Sequence, residues 1–231
     1  MTSPTTTSTY RSRLSGNRTY GLATRASCAA FAVTALVVAA PRLARANGRF
    51  PASVNVMGRA GEPDDVYVAL TFGLLISHDD GRTYAWTCEQ NVGYGGVYDP
   101  HYEIAADGTI YATTLDGLRV SRDGGCSFTT VTEEIVVDGL DLDSAGLVWI
   151  ATGEAGITNA VHRSTDQGRT FERQTLESAT LWWNSLRVAP SDADRVYVSG
   201  YVTGETPTIE IHRTIDGGES WESLPIDNLV P

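Results

Sequence analysis

At 231 residues the chain has room for one or two ordinary domains. A hydrophobic content of 42% with scattered Gly and Pro excludes a disordered chain and suits a β-rich globular one. The formal net charge is −11 and there is no Lys, a balance that repels nucleic acid and anionic membranes.

Residues 1–46 differ from the rest. They hold six Arg (Arg11, Arg13, Arg18, Arg25, Arg42, Arg45) and no acid, and an apolar run at 29–40 is followed by Ala44-Arg45-Ala46. A basic segment, a short apolar core and a small–x–small site describe a signal peptide. The run falls short of the roughly 20 residues needed to span a bilayer, although an uncleaved anchor is the alternative. No Arg pair is adjacent there, which argues against a twin-arginine signal, and Cys28 lies on the wrong side of the apolar core for a lipoprotein. Cleavage would leave eleven Arg against 28 acids, a net charge of −17, on a secreted, periplasmic or cell-surface protein. Solubility explains that charge most simply, and affinity for divalent cations is the sharper alternative.

From residue 47 onward one four-part unit recurs. A short candidate strand opens each unit: SVNVM at 53–57, YEIAA at 102–106, GLDLD at 139–143 and SLRVAP at 185–190. A β-branched and aromatic run follows at 65–70, 109–114, 147–152 and 195–200, then a third strand at 73–77, 117–121, 160–164 and 209–214. Next comes one eight-residue phrase written four times: SHDDGRTY at 77–84, SRDGGCSF at 121–128, STDQGRTF at 164–171 and TIDGGESW at 214–221. The Asp carboxylate (Asp79, Asp123, Asp166, Asp216) is expected to accept bonds from N–H groups about two residues ahead. The Gly (Gly81, Gly125, Gly168, Gly218) supplies a left-handed conformation. The aromatic (Tyr84, Phe128, Phe171, Trp221) is expected to start the fourth strand and wedge into the interior. From Asp to Asp the phrases lie 44, 43 and 50 residues apart, the period of four-stranded propeller blades. The pattern predicts an all-β propeller of four antiparallel blades, at about 47–91, 92–134, 135–178 and 179–231.

The phrase resembles the Asp-box, or BNR, repeat of sialidases, xyloglucanases and sortilin-type receptors, and the resemblance covers residues 47–231. It implies that the four Asp residues hold hairpin turns on the face away from the active site and take no part in chemistry. A sialidase itself is disfavoured. Arg49-Phe50-Pro51 resembles that family's Arg-Ile-Pro motif, but only Arg187 otherwise falls on a predicted innermost strand.

Loop lengths direct attention to the opposite face. From the second-strand aromatic to the turn Asp takes 12 residues in units one and two, 17 in unit three and 19 in unit four. The extra residues, and the connections at 88–102 and 176–184, open away from the turns, where binding sites are usually built. Tyr94, Tyr98, His101, Trp182, Trp183, Asn184 and Tyr201 there form a candidate ligand surface, for glycan stacking or for a peptide groove. Trp182 or Trp183 packing between blades, and His101 as a satisfied loop residue, are the bland alternatives. Asp99, Glu154 and Glu205 are the candidate acid and base if the chain is a polysaccharide-active glycosidase. The expected function is a non-catalytic binder of glycan or extracellular protein, with the hydrolase, or a fragment of one, as the alternative and a structural spacer as a third reading.

No Cys/His cluster has metal-ligand spacing, and no cofactor is expected. Asp138, Asp141 and Asp143 imitate a calcium loop, but Thr152 stands where a bidentate acid is needed. An exported chain permits a Cys88–Cys126 disulfide between adjacent blades, with two free thiols as the alternative. Four blades can close a ring, yet no segment after Trp221 returns to the first blade. A truncated product is therefore expected, with open edges that invite self-association.

Overall fold

A computed structural model describes residues 50–132, 135–202 and 208–226. The candidate signal peptide and Glu205 lie outside them.

The described residues form four antiparallel sheets of four strands, each in simple up-and-down order. Sheet one holds β1 (Ser53–Arg59), β2 (Glu62–Leu70), β3 (Gly73–Ser77) and β4 (Ala85–Cys88), followed by a single helical turn, α1 (Glu89–Val92). Sheet two holds β5 (Tyr102–Ile104), β6 (Ile110–Thr114), β7 (Gly117–Ser121) and β8 (Thr129–Thr130). Sheet three holds β9 (Val137–Leu142), β10 (Val148–Thr152), β11 (Asn159–Ser164) and β12 (Glu172–Ser178). Sheet four holds β13 (Trp182–Ala189), β14 (Asp192–Val202), β15 (Thr208–Thr214) and β16 (Glu222–Leu224). The first strands approach one another in succession, β1 with β5, β5 with β9 and β9 with β13, so they line a common axis.

The second strands of the middle sheets, β6 and β10, are buried throughout, as a sheet covered on both faces requires. Three clusters fill the gaps between sheets. Tyr67, Ile76 and Leu74 of sheet one meet Tyr102, Ile110 and Ala112 of sheet two. Tyr111, Leu118 and Val120 then meet Val137, Leu140 and Ile150. Trp149, Ala151 and Val161 meet Trp183, Leu186 and Val198. Among the described residues no cluster joins sheet four to sheet one.

Each repeated phrase closes a β3–β4-type hairpin by one bonding scheme. In the second, the Ser121 hydroxyl donates to Asp123 Oδ1 at 2.8 Å, and the Gly125 N–H donates to that hydroxyl oxygen at 2.9 Å. The Ser127 N–H donates to Oδ1 at 2.9 Å and its hydroxyl to Oδ2 at 2.6 Å. The same bonds recur around Asp79, Asp166 and Asp216. The carboxylate therefore reaches four residues ahead, where two were expected, because the preceding Ser or Thr already serves the nearer N–H. These bonds favour the charged form and hold Asp123 and Asp216 down to about 2, with Asp79 and Asp166 also lowered. The four side chains bond their own loops, away from the axis.

Two expectations are corrected. The aromatics of the repeated phrase do not all enter the interior: Phe128 is buried and Phe171 and Trp221 half-buried, but Tyr84 is 46% exposed, because among the described residues no sheet packs against its hairpin. Cys88 and Cys126 are free thiols. The contact expected of them is made by their neighbours, with Thr87 donating to Gly125 O at 2.9 Å and Asn91 to Cys126 O at 3.0 Å.

Candidate functional site

The long-loop face lies at the starts of the first strands, so its residues are placed by how β5 and β13 begin. Two expected surface aromatics are core residues instead. Tyr94 is buried, donates to Leu70 O at 2.9 Å and has its phenol pushed up to about 12 by burial. Trp183 is fully buried, edge-on against His212 at 5.3 Å between ring centroids. A register shift between Trp183 and Ser185 turns one Trp of the pair inward and leaves Trp182 half-buried. Trp182 packs on Tyr201 at 5.9 Å between ring centroids, beside the exposed Asn184. Tyr98 donates to Thr113 Oγ1 at 2.9 Å, and the same oxygen accepts the His101 N–H at 2.9 Å. Those two bonds pin the 98–101 segment over sheet two, and burial pushes Tyr98 up to about 12.

Of the candidate catalytic acids, Glu154 and Asp99 fall within the described residues and occupy different settings. Glu154 is already engaged: Oε2 accepts the N–H of Val136, just ahead of β9, at 3.2 Å, and Asn159 clasps its backbone N–H and C=O. Asp99 is exposed at the mouth of a cleft of about 320 Å³, whose lining also includes Asn55, His101, Tyr102 and Arg187. Glu205 lies outside the described residues.

What the fold does bring together is a charged cluster on the axis that the sequence only hinted at. Arg187, in the middle of β13, reaches Glu103 Oε1 on β5 at 3.1 Å and Asp141 Oδ1 on β9 at 3.6 Å. His101 Nε2 lies 3.0 Å from the same Glu103 oxygen and 3.3 Å from the guanidinium. The two carboxylates share one guanidinium nitrogen, so they stand close together on the axis. Burial raises the Asp141 carboxyl, against the Val188 N–H bonded to its Oδ2 at 2.8 Å and against Arg187. Arg187 divides the axis into two recesses, the cleft beneath Asp99 and another of about 400 Å³ between Asp141–Ser144 and Arg187–Pro190 on the turn side. The sequence does not single out Glu103 and shows Asp141 only as part of an apparent calcium loop, because each pairs with Arg187, more than forty positions away. The available signal was a polar residue at the same place on successive first strands.

Asp143, part of the apparent calcium loop, accepts the Ala145 and Leu147 N–H groups at 2.9 and 2.8 Å and so closes the β9–β10 turn.

The sheet order and axis match a known architecture. The fold is that of a β-propeller. The chain is similar to the GH74 xyloglucanase from Xanthomonas campestris at 20% identity and a TM-score of 0.56, over 75% of this chain and 30% of that one. It is similar to the Niastella koreensis GH74 enzyme at 19% identity and 0.56, over 74% and 29%. An ancestral GH74 enzyme gives 21% and 0.55, over 73% and 23%. The chain thus spans less than a third of the length of these structures, and at such identities the likeness shows the fold alone. No family model and no curated protein matches the chain. Among the described residues no helix is long and apolar enough to cross a membrane.

Proposed function

We propose that this chain is an exported Asp-box propeller that binds a glycan at the mouth of its axial funnel without cleaving it. The observation that carries the reading is the cleft beneath Asp99. Its lining presents a carboxylate, an amide, an imidazole and a guanidinium within one recess, the donors and acceptors that sugar hydroxyls need. The half-buried Trp182–Tyr201 pair at the same end of β13 supplies an apolar platform for a sugar face. The acidic surface disfavours nucleic acid and anionic membranes, so a neutral glycan is the partner of choice and an extracellular protein the alternative.

Hydrolysis is the second reading, favoured by the proximity of Glu103 to Asp141 and by the raised Asp141 carboxyl. Against it, one guanidinium engages both carboxylates, so neither is free to attack an anomeric carbon or to activate a water. Titration of the full chain against neutral polysaccharides, read by calorimetry beside a reducing-end assay, tests both readings. The expected result is binding that weakens at least about tenfold in Trp182→Ala, with no new reducing ends. Reducing ends that appear with the wild type and vanish in Asp141→Asn or Asp99→Asn would overturn the proposal.

A further inference from the structure

Two carboxylates, a guanidinium and an imidazole meet on the axis, and their bonding capacities do not match. His101 Nε2 lies 3.0 Å from Glu103 Oε1 and 3.3 Å from the Arg187 guanidinium. A carboxylate offers only lone pairs and a guanidinium only N–H groups, so one ring nitrogen cannot bond both at once. With its proton on Nε2, the neutral ring serves Glu103 and turns an N–H toward the N–H groups of Arg187. With its proton on Nδ1, it serves Arg187 and turns a lone pair toward Glu103. Arg187 meanwhile reaches the same Glu103 oxygen at 3.1 Å. Glu103 is therefore a single partner for which two groups compete.

Protonation ends the competition. Among the described residues no protein group bonds His101 Nδ1, so a second proton enters there and leaves the Nε2–H fixed toward Glu103. The ring then carries a positive charge 3.3 Å from the guanidinium, and one carboxylate cannot offset both cations. Arg187 has a second anchorage on β9, at Asp141 Oδ1 (3.6 Å) and Leu140 O (3.4 Å). Its side chain is 57% exposed, so these bonds hold the guanidinium on the axis more than packing does. Burial raises the Asp141 carboxyl, and an approaching guanidinium favours its charged form. The remaining groups around the ring are few. Asp99, two residues ahead, lines the same cleft, and Tyr102 beside it has its phenol pushed up by burial and stays neutral. Blade one adds Val54, Asn55 and Ala69, none of them charged.

We propose that His101 is a proton-operated latch on the axis: once charged it takes Glu103 for itself, releases the guanidinium of Arg187 toward Asp141, and draws back the bar between the two axial recesses. Arg187 lines both recesses, so its position decides whether they are separate. Histidine is the side chain that ordinarily changes charge between about pH 5 and 8, which sets the window. The latch is built from β5, β9, β13 and the residue just ahead of β5, and it needs no bound glycan.

Crystal structures of the full chain at about pH 8 and about pH 5, read beside nuclear magnetic resonance of the histidine ring nitrogens in solution, test it. The expected result is a guanidinium on Glu103 at the higher pH and on Asp141 alone at the lower, with the His101 ring charged only at the lower. In His101→Asn, which removes the titrating group and keeps a polar side chain, the guanidinium should stay on Glu103 at both. A guanidinium in one place at both pH values in the wild type would overturn the proposal. So would a His101 ring still neutral at the lower pH. A guanidinium that moves equally in His101→Asn would do the same, since the carboxylates and not the imidazole would then control it.

Discussion

The buried side of blade three and the free side of blade four carry nearly the same residues and meet different fates. Trp149 is fully buried and its neighbour Arg163 spends its charge on the Gly217 carbonyl, whereas Tyr197 is half in water and Arg213 turns to Glu222. A four-stranded blade cannot bury its own faces. The contrast teaches that burial in this fold belongs to the junction between repeats, and that a face with no neighbour among the described residues keeps the chemistry of a junction without its stability.

Four measurements can break or sharpen that contrast, and the first carries the largest expected effect. Trp149→Ala should cost about 3–5 kcal/mol in chemical denaturation, and Tyr197→Ala less than about 1 kcal/mol at a concentration where the chain is monomeric. Equal losses would show that the free face is covered after all. Second, Gly125→Ala and Gly81→Ala both force a left-handed alanine, at about 1–2 kcal/mol each. Only at Gly125 does the new methyl also meet the preceding blade, 2.5 Å from the Ile76 side chain, adding about 1–3 kcal/mol of overpacking. Third, Tyr111→Phe removes the bond to Gln167 O and should cost about 1 kcal/mol, while Tyr197→Phe in the monomer should be neutral.

The fourth measurement is pH. The turn carboxylates Asp123 and Asp216 have folded values lowered below the unfolded one, so their contribution is complete above about pH 4 and is lost as pH falls through about 2. Denaturation midpoints followed downward from pH 5 should therefore fall across that window in the wild type. Asp123→Asn should be less stable at neutral pH and flatter below pH 4. A wild-type midpoint indifferent to pH between 4 and 2 would remove the turns from the stability of the fold. A minor check is redox state. Alkylation without reductant should label Cys126 fully and Cys88 more slowly, and a peptide linking the two would contradict their being free thiols.

The repeats were legible because their signals are local. The β-branched and aromatic runs at 65–70 and 147–152 mark strands whichever sheet they join, and Ser-x-Asp-x-Gly closes its hairpin with bonds that span only a few residues. The site was not legible to the same degree. Trp182 and Trp183 are adjacent, and a single bulge decides which one faces the core. Glu154 reads as a loop acid but is consumed by the Val136 N–H, and Tyr94 reads as a surface aromatic but inserts beside Leu70.

Sequence by itself determined four sheets, their order and the geometry of their corners, since each depends on contacts within one repeat. Only the tertiary structure decided what stands on the axis. Glu103, Asp141 and Arg187 come from three different blades, and their meeting depends on the angle at which one sheet packs on the next. That angle is set by Tyr, Trp and Ile side chains filling the gaps between blades, a many-body packing outcome that no single stretch of residues encodes.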